Sequence, residues 1–468
     1  MNQRVDLLIR DGAILPLDDE EASDWSDALI PDGILAINQG KIVDLGPSNE
    51  VGGRYEGKET IDASGKLLMP GLIDTHHHFL QNFLKGSRDD LQLNKWIEKV
   101  SSPVINMAVQ DYRQGETEIQ TQATRLGCLE ALKSGITTIL NMEWATDPEL
   151  ISEYERFGIR VDHTLTFTDL DEWDNPEMLL PLKQGFELAE GWVNRCDKLE
   201  HDRISFRYGL ADPISCSEDL IRKIRDRAEE EEVGIHTHVA ETEYETSEIK
   251  KRHGLTPVEY LQELGLLGSN VLGAHAVWVE DKDIQILADT KTKVAHNPEC
   301  NMKLADGVAP VKDMLDAGIS VSIGTDTTAA NDNMDLFEAM RIAGMLQKVT
   351  QNDPSVLPAY EALKMGTLGG AQALGRDQEI GSLAQGKKAD VILVDLSGIH
   401  MQPINNLINN LVYSASAVND VETVIVDGKI VVRENEFVSI DEEGILEQSK
   451  DFARNRFSEE GIELPRYY

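Results

Sequence analysis

Basic residues are scarce. Against 83 aspartates and glutamates the chain sets 44 lysines and arginines, a net charge of −39. That balance excludes the basic patches on which nucleic acid and anionic membranes settle, and neither is expected as a partner. The acid is spread along the whole chain, which reads as a soluble, self-repelling surface adapted to high salt, where counterions screen it. Cysteine is scarcer still. Cys128, Cys196, Cys216 and Cys300 stand far apart with no CxxC pair, which excludes a disulfide framework or a thiolate zinc site and fits a reducing cytoplasm. No run approaches the ~20 apolar residues of a membrane helix. The opening "MNQRVDLLIRDGAILPLDD" lacks a basic leader followed by an apolar core, so no signal peptide is expected. No GxGxxG follows a first strand, which leaves a doubly wound open sheet without its fingerprint.

What is present is enough chain, 468 residues with 41% hydrophobic content, for one large barrel and a smaller domain. Short β segments punctuated by Gly and Asp-Gly fill the beginning, as in "DLLIRDGAILPL" and "GILAINQGKIVDLG", and recur near the end in "GKKADVILVDL" and "VETVIVDGKIVV". The expected division is a composite β-sandwich from 1–68 and 385–440, a barrel over 69–384, and a helical tail over 441–468. Between the flanks, eight β-rich runs alternate with helical patterns: "LLMPGLIDTHHH", "ITTILNMEW", "IRVDHTLTF", "ISFRYGLAD", "VGIHTHVAE", "NVLGAHAVW", "TKVAHNPE" and "SVSIGTDT". That alternation predicts an α/β fold with a closed parallel (β/α)8, TIM-like barrel.

The ionisable residues gather at the C-terminal ends of these runs, the edge where the loops of a parallel barrel form active sites. His76 and His78 alternate onto one face of the first strand, while His77 points away to a structural role. Two imidazoles on a rigid face can hold zinc or iron. His238 on the fifth run and Asp326 on the eighth would complete three histidines and a carboxylate. A metal so held acidifies its water, giving a hydroxide near neutrality. Glu241, three residues past His238, is placed to move a proton from that water to a ring nitrogen and a leaving amine. His275 on the sixth run can hold the attacked carbon's substituent, as a substrate contact, or orient the hydroxide. His236 shares the face of His238, and packing or support of a ligand are equally open to it. Asn297, beside His296 on the seventh run, is placed among the substrate contacts. His163, His201, His253 and His400 have no partner pattern. The fourth run carries Arg207 and no lysine that could bridge two metals, which favours a single ion.

The segments "MPGLIDTHHHFLQNFLKGSRDDLQLNKWI", "HTHVAETEYE", "AHAVWVED", "HNPECNMKLADGVAPV" and "GTDTTAANDNMDLFEAMR" resemble the amidohydrolase superfamily, and within it the branch of methylthioadenosine/S-adenosylhomocysteine deaminases and triazine hydrolases. The likeness spans almost the whole chain. It implies His76, His78, His238 and Asp326 as ligands of one divalent metal, zinc first and iron second. It also implies Glu241 as proton shuttle, His275 and Asp326 as further catalytic groups, and Gln81 and Trp96 as substrate contacts. The chain departs from the pattern where substrate is chosen. Ile105 in "SSPVINMAV" stands where nucleoside deaminases of the branch carry a ribose-gripping glutamate, and an aliphatic chain accepts no hydrogen bond from a diol. Thr327 and Cys300 replace a common glycine and a common small residue.

The expected function is metal-dependent hydrolytic deamination of an aminated N-heterocycle, hydroxide attacking the amine-bearing ring carbon and ammonia leaving. An S-adenosylhomocysteine- or methylthioadenosine-like adenosine, a free purine or a pterin would serve as substrate. A triazine hydrolase expelling chloride or an alkylamine is the alternative, and a non-catalytic scaffold of the same fold is the second. A small molecule is the expected partner, in a homo-oligomer.

Overall fold

The computed structural model describes residues 2–18, 28–173 and 175–459. Met1 and Asp19 of the opening segment lie outside the described residues. Of the tail expected over 441–468, Glu442–Glu459 is a helix and residues 460–468 are likewise outside. No described helix is long and apolar enough to cross a membrane.

Among the described residues the strands form two sheets. The chain first lays down β1 (Gln3–Ile14), β2 (Ile30–Asn38), β3 (Lys41–Pro47), β4 (Tyr55–Asp62) and β5 (Lys66–Pro70). It then runs through β6 (Leu72–His77), β7 (Ile136–Glu143), β8 (Arg160–Phe167), β9 (Ile204–Leu210), β10 (Gly234–Val239), β11 (Val271–His275), β12 (Lys293–His296) and β13 (Val321–Ile323). It returns through β14 (Val391–Asp395), β15 (Val421–Val426), β16 (Lys429–Arg433) and β17 (Glu436–Phe437). Strands β6 to β13 make an eight-stranded parallel sheet in sequence order, and the remaining nine make the other. The two chain ends meet where β14 pairs antiparallel with β5, itself beside β1. This nine-stranded sheet encloses its own apolar core, in which Leu7, Ile9, Leu35, Ile37, Val391 and Ile425 pack together.

Each of the eight sequence runs supplies one barrel strand. β7 and β8 are buried at every position, as strands covered on both faces must be, and so read as near-continuous apolar and β-branched sequence. Their outward residues join the large core beneath the helices, where Ile139 and Val161 meet Trp192, Leu220 and Leu261. The first run differs from its expected form. "LLMPGLIDTHHH" is two strands, since β5 belongs to the other sheet and the chain changes sheets at Pro70–Gly71. Gly71 permits the crossing: a Cβ there would lie 2.1 Å from Thr137 Oγ1.

The barrel closes at the end that carries the histidines. His77 and Asp326 form a parallel bridge. His78 N donates to Asp326 O at 2.8 Å, and Asp326 N donates to His76 O at 2.8 Å. The seam between the first and last strands is thus made by the backbone of the candidate ligands themselves. At the opposite end, Arg207 bonds Asp162, Asn270 O and Leu374 O, so the strand-four arginine faces away from the histidine cluster.

Candidate active site

Four groups from two strands and the seam converge. His78 Nε2 lies 3.3 Å from His238 Nε2, and Asp326 Oδ1 lies 3.3 Å from His76 Nε2 and 3.6 Å from His78 Nε2. In each histidine the other ring nitrogen is committed. His78 Nδ1 donates to Met142 O and His238 Nδ1 donates to Ala211 O. His76 Nδ1 lies 2.7 Å from His236 Nε2, and His236 Nδ1 donates to Leu272 O at 2.9 Å. These bonds fix the tautomers so that three bare Nε2 lone pairs face one point. Burial holds His78 well below the usual imidazole range and His238 at about 4, so both stay neutral. His76 Nε2 is buried with no hydrogen-bond partner, a cost that a ligated ion removes. A tetrahedral zinc with Zn–N of ~2.0–2.1 Å sets its ligand atoms roughly 3.3 Å apart, near the 3.3, 3.3 and 3.6 Å of the His78–His238, His76–Asp326 and His78–Asp326 pairs. The residues present fit one divalent metal. His236 fixes His76, a contact across the barrel from β10 to β6 that strand alternation alone does not reveal.

Beside this set stand Glu241 and His275. Glu241 follows β10 just ahead of the helix Glu243–His253, whose N-cap is Thr242, so it does not cap the helix. Glu245 reaches back to accept from Ala240 N at 2.8 Å and Glu241 N at 2.9 Å, holding the Glu241 backbone in place. Burial, then the charges of Asp306 and Asp326, push the Glu241 carboxyl well above the usual carboxylate range. Its nearest cationic candidate is His275 Nε2 at 3.6 Å. His275 Nδ1 donates to Asn301 Oδ1 at 2.8 Å, so Nε2 carries the lone pair, with Asn297 Nδ2 at 3.4 Å and Glu241 Oε1 at 3.6 Å, and burial holds its pKa at about 3. Burial alone would raise Asp326, yet the imidazoles of His76, His275 and His78 hold it well below the usual range. His275 and Asp326 have left-handed backbones, φ 74 and 61, a strain of about 1–3 kcal/mol each that the seam and loop contacts must hold.

This cluster forms the floor of a cavity. Trp96, Ile105, Trp144, Trp173 and Met178 wall it, and Gln81 enters from the loop after β6. Gln81 Oε1 and Trp96 Nε1 are buried without hydrogen-bond partners, so an acceptor and a donor are free on the wall. Ile105, on the helix Ser102–Gln114, presents its aliphatic chain to the same space. Asn297 is not on the cavity wall, contrary to the expectation of a substrate contact. It is buried behind His275, with Nδ2 3.4 Å from Nε2, and is packed against Gly324, where a Cβ would lie 2.3 Å from its Oδ1. His77 is held between Thr325 and Asn82, away from the cavity. His163 stacks on Trp192 with ring centroids 3.8 Å apart, a packing role. No motif or strand periodicity marks Asn301, Asp306 or Glu245: Asn301 and Glu245 stand on the helices that follow β12 and β10, and Asp306 just past the first of these, not at strand ends.

Residues 67–431 match the amidohydrolase family. A 5'-deoxyadenosine deaminase of Methanosarcina acetivorans is 37% identical over 450 residues, 96% of this chain and 98% of that protein. A 5-methylthioadenosine/S-adenosylhomocysteine deaminase of Desulforudis audaxviator is 38% identical over 448 residues, 96% of this chain and 98% of its own. Among solved structures, an adenosine deaminase from Xanthomonas campestris with bound zinc superposes with a TM-score of 0.89 at 27% identity, covering 98% of this chain and 100% of that one.

Proposed function

The chain belongs to the amidohydrolase family, and from that membership we propose a metal-dependent hydrolase that deaminates an adenosine-like heterocycle, taking up water and releasing ammonia. The observation that carries this reading is the convergence of three imidazole nitrogens and the Asp326 carboxylate beside the buried Glu241 carboxyl at the floor of a tryptophan-walled cavity. One divalent ion, zinc by analogy with the Xanthomonas structure, would be held by His76, His78, His238 and Asp326 and would supply Lewis acidity. The residues do the rest. His275 Nε2 accepts a hydrogen bond from the attacking water and aims it at the amine-bearing ring carbon. Asp326 takes the water's proton. Glu241 delivers its own proton to the adjacent ring nitrogen, the proton held by Asp326 passes to the amine, which leaves as ammonia, and the proton of the added hydroxyl returns to Glu241 as the ring carbonyl forms. Gln81 Oε1 and Trp96 Nε1 offer an acceptor and a donor to the substrate's polar edge. With Ile105 on the wall, the rest of the substrate meets an apolar surface there. The four cysteines are unpaired, which suits a cytoplasmic setting.

The test is ammonia release from the metal-loaded protein across 5'-deoxyadenosine, methylthioadenosine, S-adenosylhomocysteine, adenosine, free purines, pterins and chloro- and alkylamino-triazines in high salt. Ammonia from an adenosine that vanishes on chelation and returns with zinc is the expected result. Chloride or alkylamine release from a triazine, with no ammonia from any adenosine, would replace this reading with triazine hydrolysis.

A further inference from the structure

A second set of ligating atoms adjoins the first. Glu241, Cys300 and Asp326 place a carboxylate oxygen, a thiol sulfur and another carboxylate oxygen within 4.8 Å of one another. All three side chains are buried. Cys300 comes from the helix Pro298–Lys303 after β12, and the set shares Asp326 with the first. Asp306 follows the same helix. It is 6% exposed, its Oδ2 has no hydrogen-bond partner, and it is the chief charge acting on Glu241. Among the described residues no lysine or arginine pairs with Glu241, Asp306 or Asp326. Their only ion-pair contacts are the histidines His76, His78 and His275. Glu241 and Asp306 are thus buried carboxylates with no lysine or arginine beside them, and Asp326 has a second oxygen besides the Oδ1 turned to His76 and His78.

We propose that Glu241, Cys300 and Asp326, with Asp306 beside them, form a second and inhibitory site for a soft divalent cation such as cadmium or excess zinc. A thiolate with two or three carboxylates is a ligand set for such a cation, and it differs in kind from the imidazole set next to it. Zn–S of ~2.3 Å and Zn–O of ~2.0–2.2 Å set sulfur and oxygen roughly 3.5 Å apart, so side-chain adjustment within the observed spacing closes the site. Asp326 would be shared, one oxygen to each ion, at the ~3.5–4 Å separation usual for paired metals. Binding exchanges protons for metal: the Cys300 thiol and the Glu241 carboxyl release theirs to solvent as the metal–sulfur and metal–oxygen bonds form. The Glu241 proton is then gone from the place where it would meet the substrate. The inhibition rests on the deaminase reading; the site itself does not.

The experiment loads the first site with cadmium, whose ligands there are nitrogen and oxygen only, and titrates further cadmium while following bound metal, near-ultraviolet absorbance and ammonia release. A second equivalent should bind, with a sulfur-to-cadmium charge-transfer band that saturates with it and a matching loss of turnover. In Cys300→Ser the band should be absent and the second equivalent should bind about tenfold or more weakly, the inhibition midpoint moving with it. Cys300→Ala, checked for fold by circular dichroism, guards against a misfolded serine variant. Binding that stops at one equivalent in excess cadmium overturns the proposal, as does a band that survives in both Cys300 variants. A Cys300-dependent band in a protein that releases no ammonia from any substrate would sink the deaminase reading and leave the site standing. Normal turnover with no band would do the reverse.

Discussion

Glu241 carries the heaviest chemical demand of any single side chain, because its role needs a proton held at neutral pH. Burial and the neighbouring carboxylates Asp306 and Asp326 keep that proton on. Glu241→Gln keeps shape and hydrogen-bond reach but has no proton to transfer. It should retain the metal, by atomic emission, while kcat falls about 100- to 10,000-fold. Activity near wild type would remove Glu241 from the mechanism. His236 acts one step further back. It accepts from His76 Nδ1 and donates to Leu272 O, so it fixes which nitrogen of His76 faces the ion. His236→Ala should weaken metal binding about 10- to 100-fold in chelator competition, with the metal-saturated enzyme keeping most of its turnover. An unchanged affinity would make His236 a packing residue. At this scale the sequence is legible where residue type declares the chemistry and strand alternation declares the face, as for His76, His78 and His238. It is silent where the partner comes from a distant strand or a turn. His236 meets His76 across the barrel, Asn301 and Cys300 come from a short helix after β12, and Asn297 shares its motif yet packs against Gly324 instead of the cavity.

Among elements, the decisive contact joins the two sheets. Arg160, at the head of β8, is fully buried and gives Nε and Nη2 to Asp390, just ahead of β14, at 2.9 and 3.1 Å. Asp390 also accepts from Asp427 N at 2.7 Å, so one carboxylate ties the barrel to two strands of the outer sheet. Its loss leaves a guanidinium charge out of water, with the charge of Asp427 and the half-exposed Asp202 at 3.6 Å to answer it. Asp390→Asn should therefore lower unfolding stability by about 3–5 kcal/mol in denaturant titration, without changing the metal ligands. A loss below about 1 kcal/mol would show that the sheets hold together without the pair. The eight barrel strands are visible in sequence because burial on both faces demands continuous β-branched and apolar runs. That same signal hides the break at Pro70–Gly71. β5 and β6 are both buried almost throughout and only Gly71 lies between them, so nothing but its tight approach to Thr137 tells that the chain changes sheets there.

The whole molecule is governed by a charge that local contacts cannot balance. Even with every one of the 44 lysines and arginines paired, 39 of the 83 acids would have no basic partner. Several of the ion pairs that do form, such as Lys58–Asp6 and Lys95–Glu98, lie in solvent and contribute little. Salt weakens those few attractions and also screens the far more numerous repulsions, so the second effect sets the sign. Screening length falls from ~10 Å at 0.1 M to ~3 Å at 1 M. The melting temperature should therefore climb steeply over that interval and flatten beyond it. Potassium, sodium and choline chloride should act alike, because screening depends on ionic strength rather than on ion identity. Sucrose, which is excluded from the surface without screening it, should give a smaller and non-saturating rise. A melting temperature that is flat or falling with potassium chloride would mean that the acids are already compensated within the fold. A rise with potassium alone would point to specific cation sites instead of the summed field. The composition already dictates this behaviour, since it depends on how many acids there are and hardly at all on where the fold puts them.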